Sequence, residues 1–336
     1  MSSPAQPIAV TISSPTPQKA AFLNQLNAQQ PLSLKARLGW KPVQYLALAA
    51  IAGGVGLLLG GLAALALKCV AVWFVWCAAI VVLNQLAYFS ESLAAKAIHW
   101  IHANSMEINA VCTAARLFPL TFSSQYLEPK GPVNGPPVLL VHAYLSFAST
   151  FDAMREQLVQ AGYRVYVMNT GSLQSIETYA EQVDVVVKKI QTNTGRNDIG
   201  LVGHSRGGLV VSHWALHHAK KYGAQVRVAI TIASPLGGTP LAKMAPGLDA
   251  QQMTPHHPFH EELRKTISSS DIPFLHIGSA SDFVVGLKSA LPENAPCCRV
   301  LKDVGHLEIV FDPRTGELVR AGLKAADKAL LPLSPV

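Results

Sequence analysis

The chain has 336 residues, enough for about two domains, and is 50% hydrophobic with only 14% charged side chains, against roughly 25% in ordinary soluble domains. That composition excludes a disordered chain and fits a purely soluble monomer poorly. The formal charge of +7 does not point to nucleic acid, because Lys19, Lys35, Arg37, Lys41 and Lys68 supply +5 of it and no acidic residue precedes Glu91.

Residues 1–34 are rich in Ser, Pro, Gln and Ala and read as a disordered tail. With the segment up to 41, where Lys35, Arg37 and Trp40 can anchor at a membrane surface, they form a basic, interfacial leader. Residues 42–89 follow with a single charge, Lys68. One helix from 45 to 89 would be roughly 67 Å long at 1.5 Å per residue, about twice a bilayer core. The economical expectation is a transmembrane hairpin, with spans near 45–67 and 69–89. Gly53, Gly56 and Gly60 let the second helix approach the first closely, and Tyr88 and Phe89 suit the interface. The basic residues before Tyr45 should stay cytoplasmic, and two spans return the rest of the chain to that side. The alternative is a buried helical hairpin in a soluble protein. Residues 90–135 carry apolar positions at helical spacing (Leu93, Ile98, Ile101, Ile108, Val111) and read as an amphipathic helical connector.

From residue 136 to 336 short apolar runs alternate with helical stretches. Strands are expected at 138–142, 163–168, 198–203, 226–233, 273–277 and 299–304. Helices are expected at 151–161, 175–191, 207–222 and 314–330. Near-continuous apolar strands separated by helices predict an α/β domain, a mostly parallel sheet of about six strands covered on both faces.

The third strand runs into Gly203-His204-Ser205-Arg206-Gly207. G-x-S-x-G between a strand and a helix forms a sharp turn that lifts the Ser hydroxyl clear of the sheet edge. The bland alternative is a helix N-cap at Ser205. A nucleophilic Ser needs a base and an orienting acid, in the chain order Ser, Asp, His for this architecture. Asp282 follows the fifth strand and His306 the sixth, both at the carboxyl edge where Ser205 also lies. Asp303 and Asp271 are the substitutes for Asp282. The oxyanion hole is expected from the backbone amides of Arg206 and Tyr144. Residues 240–265, apolar but broken by Pro246, Gly247, Pro255 and Pro258, read as a small lid, or else as an ordinary surface excursion.

Residues 136–330 resemble the α/β-hydrolase superfamily, in particular its lipase and esterase branch. The resemblance is carried by Val141-His142, by Gly203 to Gly208, by the Asp282 loop and by Gly305-His306. The segment 233–240 is also similar to bacterial lipases and to deacylases of glycolipid anchors. The resemblance implies hydrolysis of a carboxylic ester, here a lipid-like one, through an acyl-enzyme with no metal or organic cofactor. Acyl transfer or thioester hydrolysis would use the same triad, and a non-catalytic membrane scaffold could keep the fold. His256, His257 and His260, and the His213/His217 pair, are discounted as metal sites, since Trp214 stands where a zinc protease would carry Glu. The five cysteines (Cys69, Cys77, Cys112, Cys297, Cys298) are odd in number and fit a reducing compartment. Oligomeric state leaves no mark on the sequence.

Overall fold

Strand β2 (Val138–Val141) shows why this sequence folds as a two-faced sheet, since all four of its side chains are buried. Val138 and Leu140 enter one apolar cluster, and Leu139 and Val141 enter the other. The period-2 alternation of a strand thus feeds two cores rather than one core and solvent. Strand β3 (Val165–Met168) repeats the pattern, Val165 and Val167 on one face and Tyr166 and Met168 on the opposite one. The computed structural model describes residues 17–27, 107, 110, 125–129, 131–171, 173–292, 295 and 297–329. All of them belong to one compact unit.

The remaining strands are β1 (Gln125–Leu127), β4 (Asp198–His204), β5 (Gln225–Ile232), β6 (Phe274–Ser279) and β7 (Cys298–Leu301). The sheet has seven strands in the order β1-β3-β2-β4-β5-β6-β7. β1 pairs antiparallel with β3, and every other pairing is parallel. The chain thus starts its parallel part in the middle, at β2, and the strand order reverses between β2 and β4. Helix α1 (Pro17–Asn27), α2 (Asp152–Gln160) and α9 (Pro313–Ala329) lie on one face. Helix α3 (Ile176–Thr194), α4 (Arg206–His217) and α6 (Pro258–Ser269) lie on the other. The short helices α5 (Leu248–Gln252), α7 (Leu287–Ala290) and α8 (Glu308–Phe311) sit in loops after strands.

The expected strands and helices of residues 136–330 are in place, and two expectations need correction. Residues 17–27, read as part of a disordered tail, form a helix that buries Phe22 and Leu26, one turn apart, against Val319 and Leu323 of α9. Its own composition is too polar to announce this, because α9 supplies the partner face. The sheet has seven strands rather than about six, because Gln125–Leu127 adds an edge strand inside the stretch read as a helical connector. Three residues carry too little periodicity to register as a strand, and their ladder partner, β3, is distant in sequence. The segment read as a lid, 240–265, is a 3-10 turn (Pro240–Met244), α5 and then α6, which runs on to Ser269. The hairpin expected at 42–89 lies outside the described residues. Among the described residues no helix is long and apolar enough to cross a membrane.

Candidate active site

Ser205 occupies the one-residue step between β4 and α4, with φ 54° and ψ −122°. A non-glycine residue adopts that left-handed conformation only when its surroundings force it. The force comes from two glycines. A Cβ at Gly203 would lie 2.3 Å from the Gly207 backbone, and one at Gly207 would lie 2.1 Å from the Val141 carbonyl oxygen. Strand and helix therefore approach each other through bare backbone, and Ser205 is pushed to the carboxyl edge of the sheet.

His306 follows β7 and presents its ring to that edge. Its Nε2 lies 3.0 Å from Ser205 Oγ and its Nδ1 lies 2.8 Å from Asp282 Oδ2. Asp282, in the loop after β6, is fixed through its other oxygen, which accepts from the amides of Val284 and Val285 at 2.9 and 3.0 Å. Burial alone would raise the Asp282 pKa, but the facing imidazole and those amides outweigh it and hold the carboxyl below its ordinary value. Burial would lower His306, and Asp282 and then Glu107 outweigh it, so its pKa is raised above the ordinary 6.5. The arrangement can move a proton from the Ser205 hydroxyl to an imidazole whose charged form is stabilised by a fixed carboxylate.

The structure also brings the two expected oxyanion residues to the same edge. The Arg206 amide opens α4, where first-turn N–H groups have no partner within the helix. The Ala143 carbonyl is held from inside by His142 Nδ1 at 2.8 Å and Arg206 Nη2 at 3.4 Å. Because the peptide is planar and trans, the Tyr144 N–H points the opposite way, out of that cradle.

Three features near the site escaped the sequence. The Arg206 side chain, sought only for its amide, is fully buried and pairs with Asp249 of α5 at 2.9 Å. It also donates to the Gly171 carbonyl at 2.9 Å and to Thr170 Oγ1, and stacks 4.2 Å over the Tyr179 ring. His142 accepts at Nε2 from the Thr170 amide at 3.0 Å, and its pKa is lowered to about 4 by burial and then by Arg206. The third is Glu107, whose carboxylate bonds the amides directly after His306. A lone acid between the apolar Met106 and Ile108 is the trace of it in the sequence. His204, expected only to pack or to hydrogen-bond, contacts the carbonyl of His306 through Nε2 at 2.9 Å. The His213 and His217 rings lie 4.5 Å apart, tilted by 37°, and among the described residues no group of three His, Cys, Asp or Glu has the geometry to hold a metal.

Residues 136–275 match the protein family described as serine aminopeptidase, S33. No curated protein matches the sequence. Among solved structures the chain is similar to the mature form of the Bacillus licheniformis lipase BlEst2, at 17% identity and a TM-score of 0.48, over 59% of this chain and 95% of that one. It is similar to the Paleococcus ferrophilus monoacylglycerol lipase at 17% identity and a TM-score of 0.44, over 62% of this chain and all of that one. The phospholipase PlaB from Legionella pneumophila is a further neighbour, at 15% identity and a TM-score of 0.39, over 43% of this chain and 39% of that one. The sheet order, the strained turn after β4 and the match over 136–275 are those of the α/β-hydrolase fold, and support a hydrolase of that superfamily.

Proposed function

We propose that the chain is a membrane-anchored serine hydrolase that cleaves carboxylic esters of lipid-like substrates through an acyl-enzyme. The observation that carries this reading is the continuous contact from Ser205 Oγ through His306 to Asp282 on a strained strand–helix turn. Ser205 attacks the ester carbonyl while His306 takes its proton, and Asp282 holds the imidazole and stabilises its charged form. The Arg206 and Tyr144 amides bind the tetrahedral oxyanion. His306 gives its proton to the leaving alcohol, and a water molecule then repeats the sequence to release the acid. Neither a metal nor an organic cofactor enters these steps.

The membrane part of the proposal rests on the run from 45 to 89, which carries one charge. A second observation bears on its topology. Helix α1 before the run and Glu107 after it both pack on the same catalytic unit. A chain that leaves one folded body and returns to it crosses a bilayer an even number of times, which supports the hairpin over a single span. Lys35, Arg37 and Lys41 next to the first span support the reading in which the catalytic unit faces the cytoplasm.

The test is a substrate panel on the full chain in detergent micelles: p-nitrophenyl esters of increasing acyl length, acylglycerols, and aminoacyl-p-nitroanilides. Ester hydrolysis that grows with acyl length and vanishes in Ser205→Ala is expected. Cleavage of the anilides without ester hydrolysis would replace the ester reading by a peptidase.

A further inference from the structure

Three backbone N–H groups flank the His306 side chain, and each ends on a carboxylate. Gly305 donates to Glu308 Oε2 at 3.0 Å. Leu307 donates to Glu107 Oε1 at 2.7 Å, and Glu308 donates to Glu107 Oε2 at 3.0 Å. Glu308 is the first residue of α8 and reaches back three residues to the amide it accepts from. Glu107 lies 200 residues away in sequence from Leu307 and enters from a different part of the chain. The space for it is reserved, since a Cβ on Gly305 would lie 2.2 Å from Glu107 Oε2. On the other side, His204 holds the His306 carbonyl. The backbone of His306 is thus gripped on both sides, once by a residue next to the nucleophile and once by Glu107.

We propose that Glu107 is a positioning residue for the acyl-transfer reaction: its carboxylate clamps the amides after His306 and so keeps the imidazole aligned between Ser205 and Asp282. The proposal rests on the serine-hydrolase reading above. It makes catalysis depend on a side chain that precedes the whole sheet, in the stretch between the apolar run and the catalytic domain. An imidazole displaced by about 1 Å loses most of its value as a base, so a clamp on its backbone acts on turnover rather than on substrate binding. The ionisable side chains that face His306 are Asp282, Glu107 and His204, and those that face Glu107 are His306, Asp282 and Glu308. His204 is held neutral by burial, with its pKa lowered to about 3, while burial raises the Glu107 pKa above its ordinary value, so Asp282 is the fixed negative charge beside His306 and Glu107 adds its own once ionised. Removing the Glu107 charge makes the His306 imidazolium less stable. The acid limb of the pH–rate profile then moves to lower pH.

The test compares native chain, Glu107→Gln and Glu107→Ala in the same detergent, with active sites counted by fluorophosphonate titration. Turnover per titrated serine is expected to fall by ~10- to 100-fold in the alanine variant and less in the glutamine variant, with KM unchanged. Both acid limbs should lie below the native one. Glutamine keeps one acceptor oxygen and the side-chain shape, so it serves if the alanine variant does not fold. Native turnover and a native acid limb in folded Glu107→Gln, beside an active native chain, would overturn this proposal alone. A native chain that neither turns over nor labels at Ser205 would overturn the hydrolase reading, and this clamp with it.

Discussion

The backbone at Ser205 sits at φ 54°, ψ −122°, a conformation that costs a non-glycine residue about 1–3 kcal/mol. The surrounding backbone enforces it, since Gly207 leaves no room for even one methyl group between α4 and β2. Gly207→Ala is therefore expected to lower stability by ~2 kcal/mol or more and to abolish turnover, read by urea unfolding and ester hydrolysis. An alanine variant with native stability and rate would mean that strand and helix can separate at no cost. Asp282→Asn keeps an oxygen for the Val284 and Val285 amides but loses the charge behind His306. Its kcat should fall by about four orders of magnitude with little change in KM. Ser205, Asp282 and His306 were legible as residues because a short motif and the ends of two strands bring them to one edge. Glu107 and the Arg206 guanidinium were not, because their partners are backbone groups and an acid brought near only by folding.

Among the elements, α5 is tied to the nucleophile turn by a fully buried ion pair between Asp249 and Arg206. The same guanidinium holds the Ala143 carbonyl, so the loop that supplies the Tyr144 amide, the β3–α3 loop and α5 share one fastener. Asp249→Ala would leave a buried cation unpaired, at a cost of about 3–5 kcal/mol, and is expected to reduce turnover through the Ala143–Tyr144 peptide. Denaturant unfolding reads the first effect, and a loss under ~1 kcal/mol would contradict the buried pair. Helix α1 offers a second check. Phe22 is 1% exposed, so Phe22→Ala should destabilise the catalytic unit by ~3 kcal/mol, whereas a substitution in a free tail would be silent. The parallel strands and their helices could be read from periodicity, as both faces of the sheet impose apolar runs. Helix α1 and the edge strand β1 could not, because each is stabilised by an element distant in sequence, α9 and β3 respectively.

For the whole molecule, buried imidazoles set the response to acid. Burial is the largest cause of the lowered pKa of His142, His213, His260 and His276, each to about 4, and of His204, to about 3. An unfolded imidazole takes its proton near 6.5, so each of these contributes stability that is present above pH 6.5 and lost as the pH falls toward 4. Glu308 and Asp327, raised by burial to about 7 and about 6, and Glu107 and Asp152, also raised by burial, act in the opposite sense, favouring the folded state as they take up protons. Among the described residues the five lowered histidines outnumber these four carboxyls, so the urea midpoint is expected to drop between pH 6.5 and 4. A flat profile over that range would show that the imidazoles reach solvent.

Covalent capture tests most directly whether Ser205 is an activated nucleophile. Native chain in detergent, treated with a fluorophosphonate and digested, should carry the phosphonyl group on the peptide containing Ser205. Ser205→Ala should remain unlabelled, and Asp282→Asn should label much more slowly. Folded native protein that stays unlabelled at neutral pH, or that labels equally in the Ser205→Ala variant, would contradict the account.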